Sequence, residues 1–316
     1  MSDPDRPEAR SVLRLGTRGS ALALAQSGGV AATVTAASGM SVELVEVVTR
    51  GDVDRGAIDS MGGTGVFVTA LRDALLSGAV DVAVHSFKDL PTAPAPGLHI
   101  AAVPRREDAR DVLVARDGLT LAELPAGSRV GTGAPRRAAQ LRALGLGLTV
   151  VPIRGNVDTR LGKVAAGELD AVVLARAGLA RLGRLAEVTE VLDPLQMLPA
   201  PAQGALAVEC RGDDAAVLDL LGCLEDGAAR ATVAAERSLL AALEAGCTAP
   251  VGATAEMAEG EYGPELFLRA VVVAADGSDS VRRSASAPVS DAEALGRRLA
   301  AEMLEVGAGR LLGAAQ

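Results

Sequence analysis

The chain is short of aromatic residues, with no Trp, one Tyr and three Phe in 316 residues. Its cores must therefore be packed from Ala, Val and Leu. Its three cysteines, Cys210, Cys223 and Cys247, are odd in number, widely spaced and form no CxxC. With only His85 and His99 beside them they build neither a disulfide framework nor a standard zinc site, so no metal is expected. Such cysteine usage points to a soluble cytoplasmic protein. No stretch approaches 18 consecutive apolar residues, which excludes a membrane-spanning helix. Met1 to Arg10 lacks an apolar core, so it reads as a disordered tail and not a signal peptide. Acidic side chains outnumber basic ones by 40 to 31, a formal charge of −9. That balance argues against a nucleic-acid backbone as the main partner. Without a long apolar surface stripe, a monomer is expected. No Walker A lysine motif occurs, so a nucleoside triphosphate is not the obvious ligand.

Lysine is also scarce. Only two of the 31 basic side chains are lysines, Lys88 and Lys163. Lys88 stands in Asp81-Val-Ala-Val-His-Ser-Phe-Lys-Asp-Leu-Pro91 with one of the two histidines. Asp81 to Val84 reads as a buried strand, and Pro91 stops any regular continuation. Polar groups at the carboxyl end of a buried strand sit where open α/β sheets bind ligands.

A pattern is written twice along the chain. Gly-Thr occurs at 16 and 131, Arg-Gly-[Asp/Asn]-Val-Asp at 50 and 154, and Gly-x-[Val/Leu]-Asp at 78 and 167. Three anchors in the same order predict two α/β domains of one plan, with strand–helix alternation making largely parallel sheets. From about Asp226 the texture changes. An Ala/Leu helix from Ala228 to Leu243 is expected to be capped by Gly246. Strands Leu266–Ala275 and Val281–Ala287 flank an Asp276-Gly277 hairpin, and a helix from Asp291 to about Val306 completes a small α+β domain.

The arginines gather where strands hand over to helices. Arg18 follows the first Gly-Thr, Arg136 and Arg137 the second, Arg154 and Arg160 flank Gly155-Asn-Val-Asp-Thr159, and Arg176 and Arg181 follow Val172–Ala175. The repeat predicts that they meet in one cleft. Guanidinium groups grip carboxylates or phosphates in two-pronged fashion, so the ligand should carry several negative charges. Asp89, an acid among cations, would face a cationic part of the ligand or manage a proton. Cys247 lies just past a helix end, where a thiol is reachable. A two-lobed anion-binding or sensor module would share the arginines but has no use for Asp89 or Cys247.

With these motifs in hand the chain resembles the porphobilinogen deaminase (hydroxymethylbilane synthase) family. The resemblance rests on Thr17-Arg-Gly-Ser-Ala-Leu-Ala-Leu-Ala-Gln26, Val48-Thr-Arg-Gly-Asp52, His85-Ser-Phe-Lys-Asp-Leu-Pro91, Gly131-Thr with Arg136-Arg137, Arg154-Gly-Asn-Val-Asp-Thr-Arg160, Pro201-Ala-Gln-Gly204 with Glu209-Cys-Arg211, and Gly246-Cys247. It implies three α/β domains, two resembling type II periplasmic binding protein lobes and a small α+β C-terminal one. Their expected bounds are 8–104 with 205–222, 105–204, and 223–316. The implied reaction joins four porphobilinogen molecules head to tail into linear hydroxymethylbilane with release of ammonia, in tetrapyrrole and haem biosynthesis. The implied primer is a dipyrromethane cofactor held by a thioether to Cys247. Carried over by motif, Asp89 is the catalytic carboxylate. Ser86, Lys88, Thr132, Arg136, Arg137 and Arg160 fall on the cofactor side, and Arg18, Ser20, Gln26, Arg154, Arg181 and Gln203 on the substrate side. The chain departs from the family's usual residues at Ala21, Thr64, Gly133 and Ala134, the last two losing hydroxyls expected to help hold cofactor carboxylates.

Overall fold

The structure, a computed structural model, describes residues 11–47, 64–246, 249–260 and 263–313, excepting the side chains of 64–67. The Met1–Arg10 tail, Arg50-Gly-Asp-Val-Asp54, the side chains of Thr64 and Phe67, and Cys247 therefore lie outside the described residues.

The first sheet begins with β1 (Val12–Thr17), β2 (Ser41–Glu46), β3 (Val82–Ser86) and β4 (Leu98–Ala102). The second contains β5 (Asp111–Ala115), β6 (Arg129–Thr132), β7 (Thr149–Pro152), β8 (Ala171–Ala175) and β9 (Glu190–Val191). With β10 (Leu206–Arg211) returning to the first, the orders are β2-β1-β3-β10-β4 and β7-β6-β8-β5-β9. A third, antiparallel sheet runs β11 (Val251–Gly260), β12 (Gly263–Val273), β13 (Ser280–Pro288). Helices α1 (Ala21–Ser38) and α2 (Thr64–Leu76) belong with the first sheet; α3 (Pro135–Ala143), α4 (Val157–Ala165) and α5 (Arg176–Arg181) with the second. Then come α6 (Ala215–Leu221), α7 (Gly227–Ala242), α8 (Ala292–Glu305) and α9 (Ala308–Gly313).

The chain divides into two compact units. One runs to His85 and includes Ala95–Ala102 and Ala207–Glu225; the other holds Ser86–Pro94, Val103–Leu206 and everything from Asp226. The second unit thus contains both the second and the third sheet.

The repeat seen in the sequence is a repeat of structure. Gly16 pairs with Ala83 and Gly131 with Val172, each across a parallel ladder. The Asp81 carboxylate accepts from the Arg14 backbone N–H at 3.0 Å, and that of Asp170 from Arg129 N–H at 2.6 Å. In return, Asp81 N–H donates to Arg14 C=O and Asp170 N–H to Arg129 C=O. The glycines serve the same packing. A Cβ at Gly16 would lie 3.1 Å from Val80, and one at Gly131 only 2.6 Å from Leu169, the residues just before those aspartates.

The sheets are mixed, which corrects the expectation of largely parallel ones. β5 is antiparallel to β8 and β9, and β10 to β4. β5 follows β4 of the first sheet and β10 follows β9 of the second, so neither is delivered by a strand–helix–strand crossover within its own sheet, the connection that imposes parallel pairing. Both faces of the second sheet are covered. Val112, Val172 and Leu174 pack toward Ile153, Leu161 and Leu179, while Leu113, Val130 and Val173 pack toward Leu121, Leu141 and Met197. Burial on both sides accounts for the unbroken apolar run of β8. In the third sheet, α7 and α8 supply Leu239, Leu240, Leu295, Leu299 and Met303 against Val251, Ala253, Leu266 and Leu268. Gly246 does not cap α7, a second correction: the cap is Leu243 in a right-handed conformation, and Glu244 takes the positive φ of 52°.

Candidate active site

β3 runs into a single 3-10 turn, Phe87–Asp89. Phe87 N–H donates to Ala205 C=O at 3.1 Å, Leu90 N–H closes the turn on Phe87 C=O, and the buried Phe87 and Leu90 side chains anchor it. Lys88 and Asp89, between these anchors, are half-buried. The Asp89 carboxylate has no hydrogen bond among the described residues. Lys88 Nζ lies 3.4 Å from the Gln203 side-chain oxygen. Burial pushes the Lys88 ammonium down to about 8, with Asp89 opposing the shift and Arg137 adding to it.

Beneath the turn is a charge cluster organised by Asp111, at the start of β5 and 0% exposed. One oxygen accepts from Arg136 at 2.8 Å; the other accepts from Arg137 Nε at 3.1 Å and Nη2 at 2.8 Å, and from Gln203 Nε2 at 2.7 Å. Burial alone would raise this acid, but Arg136 and Arg137 outweigh it and hold Asp111 at about 2. Gln203 is buried and fully engaged: its amide also donates to Ala109 C=O, and its oxygen faces Arg137 and Lys88. Arg136 and Arg137, both buried, give further bonds to the Leu198 and Val173 carbonyls. These two arginines thus have an internal acid as counter-charge, which the sequence reading did not foresee.

Arg160 differs. It is half-buried on α4 with no ion pair among the described residues, and burial, reinforced by Arg137, lowers its affinity for its proton. The Nε–H groups of Arg136 and Arg160 are buried without a hydrogen-bond partner. A buried donor left unpaired is costly, and an anionic oxygen placed there would relieve it. On this count the cluster fits a carboxylate-bearing ligand.

Thr132 ends β6, its hydroxyl accepting from Ala134 N–H at 3.3 Å. Gly133 has a structural reason: a Cβ there would sit 2.7 Å from Ile153 C=O and 3.3 Å from the Arg160 guanidinium. Ala134 occupies the N-cap of α3 without a capping side chain. The exposed Arg154 lies on the β7–α4 connection, where Asn156 caps α4 by accepting from Thr159 N–H at 2.9 Å. Arg181 donates to Gly204 C=O at 2.6 Å, and Arg176 lies 3.5 Å from Asp108.

The second unit therefore gathers Ser86, Lys88, Asp89, Arg136, Arg137, Arg160 and Gln203 in and around one cluster, with Thr132 at the end of β6, Arg154 on the β7–α4 connection and Arg181 at the end of α5. Arg18, Ser20 and Gln26 belong to the first unit. There Ser20 caps α1, accepting from Ala23 N–H, Arg18 is half-buried, and Gln26 is buried on α1. Sequence reasoning missed Asp111, Glu236 and Arg237. Asp111 carried a signal in Asp111-Val-Leu-Val-Ala115, the same acid-then-apolar pattern as Asp81 and Asp170.

Comparison with known proteins adds an independent finding. A family model described as the porphobilinogen deaminase dipyromethane cofactor binding domain matches residues 13–219, and one for its C-terminal domain matches 230–305. The chain is 60% identical to a porphobilinogen deaminase of Nocardia farcinica over 305 residues, 95% of this chain and 88% of that one. It is 58% identical to that of Mycolicibacterium paratuberculosis over 310 residues, 96% of this chain and 98% of the relative. The Mycobacterium tuberculosis relative is also 58% identical, over 306 residues.

Proposed function

The chain belongs to the porphobilinogen deaminase family, and we propose that Asp89 is its catalytic carboxylate and Cys247 its cofactor tether. The reaction condenses four porphobilinogen molecules head to tail into linear hydroxymethylbilane, releasing ammonia at each addition, on a covalently bound dipyrromethane primer. The two-lobed module without chemistry is not favoured.

Each porphobilinogen brings two carboxylates, so a lengthening chain needs a cationic surface. In this reading Lys88, Arg136, Arg137, Arg160, Ser86 and Thr132 hold cofactor carboxylates, while Arg18, Ser20, Gln26, Arg154 and Arg181 hold those of substrate, with Gln203 supporting them through Asp111, Arg137 and Lys88. The dipyrromethane supplies a nucleophilic pyrrole carbon when bound. Asp89 does the rest of the electrostatic work. It accepts hydrogen bonds from pyrrole N–H groups and sits against the cation left on the substrate when ammonia departs. A carboxylate placed where positive charge develops lowers the barrier, because its dipoles need no reorganisation. Asp111 does not compete for this role, since its oxygens are taken up by Arg136, Arg137 and Gln203.

The observation that carries the reading is the pairing of an uncommitted acid, Asp89, with Lys88 and two unsatisfied guanidinium N–H groups in one cluster. We take the protein to be a cytoplasmic monomer of three domains, bounded as above, with neither nucleic acid nor membrane as partner. Among the described residues no helix is long and apolar enough to cross a membrane.

Intact mass is the test. Purified protein should exceed its sequence mass by one dipyrromethane, and Cys247→Ser should lose that increment. An active, unmodified chain would remove the assignment of Cys247.

A further inference from the structure

The turn that presents Asp89 is gripped from behind by one arginine. Arg237, half-buried on α7, donates through Nη1 to Leu90 C=O at 3.0 Å and Phe87 C=O at 3.3 Å, and through Nη2 to Pro91 C=O at 2.6 Å. Its guanidinium carbon also lies 4.5 Å from the centroid of the Phe87 ring, one of only three phenylalanines in the chain. Three carbonyl oxygens on one side of a five-residue turn repel one another unless a cation lies among them. A planar guanidinium with several N–H groups can bind all three while its face covers an aromatic ring; an ammonium is a point charge and cannot. Within the turn itself the backbone makes one bond, Leu90 N–H to Phe87 C=O at 3.2 Å. Arg237 therefore adds three hydrogen bonds to a turn otherwise held by that bond, by Phe87 N–H to Ala205 C=O and by its buried Phe87 and Leu90 side chains.

The helix carrying this arginine is itself clamped next door. Glu236, 0% exposed, accepts from Arg106 at 2.7 and 2.9 Å, from Ala202 N–H at 2.6 Å and from Ala255 N–H at 2.7 Å. Arg106 in turn donates to Gln203 C=O at 2.9 Å. Consecutive residues of α7 thus hold the two backbone segments that meet at Lys88: Glu236 holds Ala202–Gln203, and Arg237 holds Phe87–Pro91. The same helix ends at Ala242, five residues before Cys247 in the sequence.

We propose that Arg237 is a positioning residue for the reaction, setting the depth and orientation of Asp89 from the helix that leads to the cofactor cysteine. The proposal rests on the catalytic reading of Asp89, and the experiment separates the two. Arg237→Lys keeps the charge but loses the fork. In the holoenzyme it should lower kcat about 10- to 100-fold, the scale of a small misplacement of a reacting group, with KM for porphobilinogen within twofold. Backbone amides of Lys88 to Leu90 should exchange hydrogen at least tenfold faster, while those of α7 and β11–β13 keep their protection. In Arg237→Ala, millimolar guanidinium should restore part of kcat, and urea should not. Unchanged kcat, unchanged exchange in the turn, or equal loss of protection across the whole C-terminal module would each overturn it. Should the role of Asp89 be wrong, Asp89→Ala would stay active while the exchange result for the turn still held.

Discussion

Asp111 and Arg137 form a buried pair in which one carboxylate oxygen receives two guanidinium N–H groups, at 3.1 and 2.8 Å. Asp111 has no exposed surface, and Arg136 shares its charge from the other oxygen. Removing one member of such a set leaves the remaining charges uncompensated in a dry environment. Asp111→Asn should therefore cost about 3–5 kcal/mol, read from denaturant unfolding at pH 7. The sign with pH follows from the depressed acid. Its contribution is fully present above the ordinary carboxylate value of about 4 and is lost as pH falls through about 2. The gap between parent and variant should accordingly narrow as pH falls across that window, and a gap that stayed constant would contradict the assignment.

Lys88 offers a direct titration, because the chain has one other lysine. Competitive trace acylation followed by peptide mass spectrometry gives each reactivity separately, with Lys163, half-buried and 2.6 Å from Glu168, as internal reference. Lys88 should show half-protonation near pH 8, against about 10.4 for an ordinary lysine. The charged groups around it, Asp89, Asp111, Arg136 and Arg137, pull in both directions, and burial decides the outcome. Since the folded chain sheds this proton earlier than the unfolded one, stability attributable to Lys88 should rise between about pH 8 and 10.4. The grip on the cofactor carboxylates should weaken over the same range, and Lys88→Arg should abolish that dependence.

Asp89→Ala should fold normally, since its carboxylate makes no hydrogen bond among the described residues, yet lose turnover by at least about 10²-fold, the scale for deleting one preorganised electrostatic group. Near-normal formation of hydroxymethylbilane by a correctly folded, cofactor-loaded variant would rule out the role given to Asp89.

The parts of this architecture that were legible in the sequence are those encoded locally. Gly16 and Gly131 announce the repeat because Val80 and Leu169 crowd any Cβ there, and Lys88–Asp89 announce the turn because polar groups follow a buried apolar strand. Positions whose meaning depends on distant partners were not legible. Asp111 finds Arg136 25 residues away, and Arg237 finds Leu90 147 residues away. β11 was hidden for a related reason. Its Gly, Ala and Glu residues have little strand preference of their own, and ten consecutive pairings with β12 impose the conformation.

The two departures beside Thr132 separate by structure. Ala134 has extended N-cap geometry, φ −107° and ψ 120°, with no side chain to accept a hydrogen bond. Ala134→Ser should add that bond and raise stability by about 0.5–2 kcal/mol, measured as a higher Tm. Gly133→Ser should do the opposite, because its Cβ would press on Ile153 C=O. Equal effects of the two serines would show that this loop relaxes more than its contacts suggest.

Arg160 separates function from stability most sharply. Its guanidinium is partly desolvated, has Arg137 as a like-charged neighbour, and leaves Nε–H unsatisfied. A cation in that position weakens the fold unless a ligand carboxylate completes it. Arg160→Ala should therefore leave unfolding free energy within about 0.5 kcal/mol of the parent, or above it, when cofactor and substrate are absent. The same variant should lose about 2 kcal/mol of charge-assisted hydrogen bonding to a carboxylate, some thirtyfold in affinity. Loss should appear as a raised KM or as failure to retain cofactor, distinguished by intact mass. A variant destabilised by several kcal/mol with ligand binding unchanged would mean that Arg160 serves the fold and not the site.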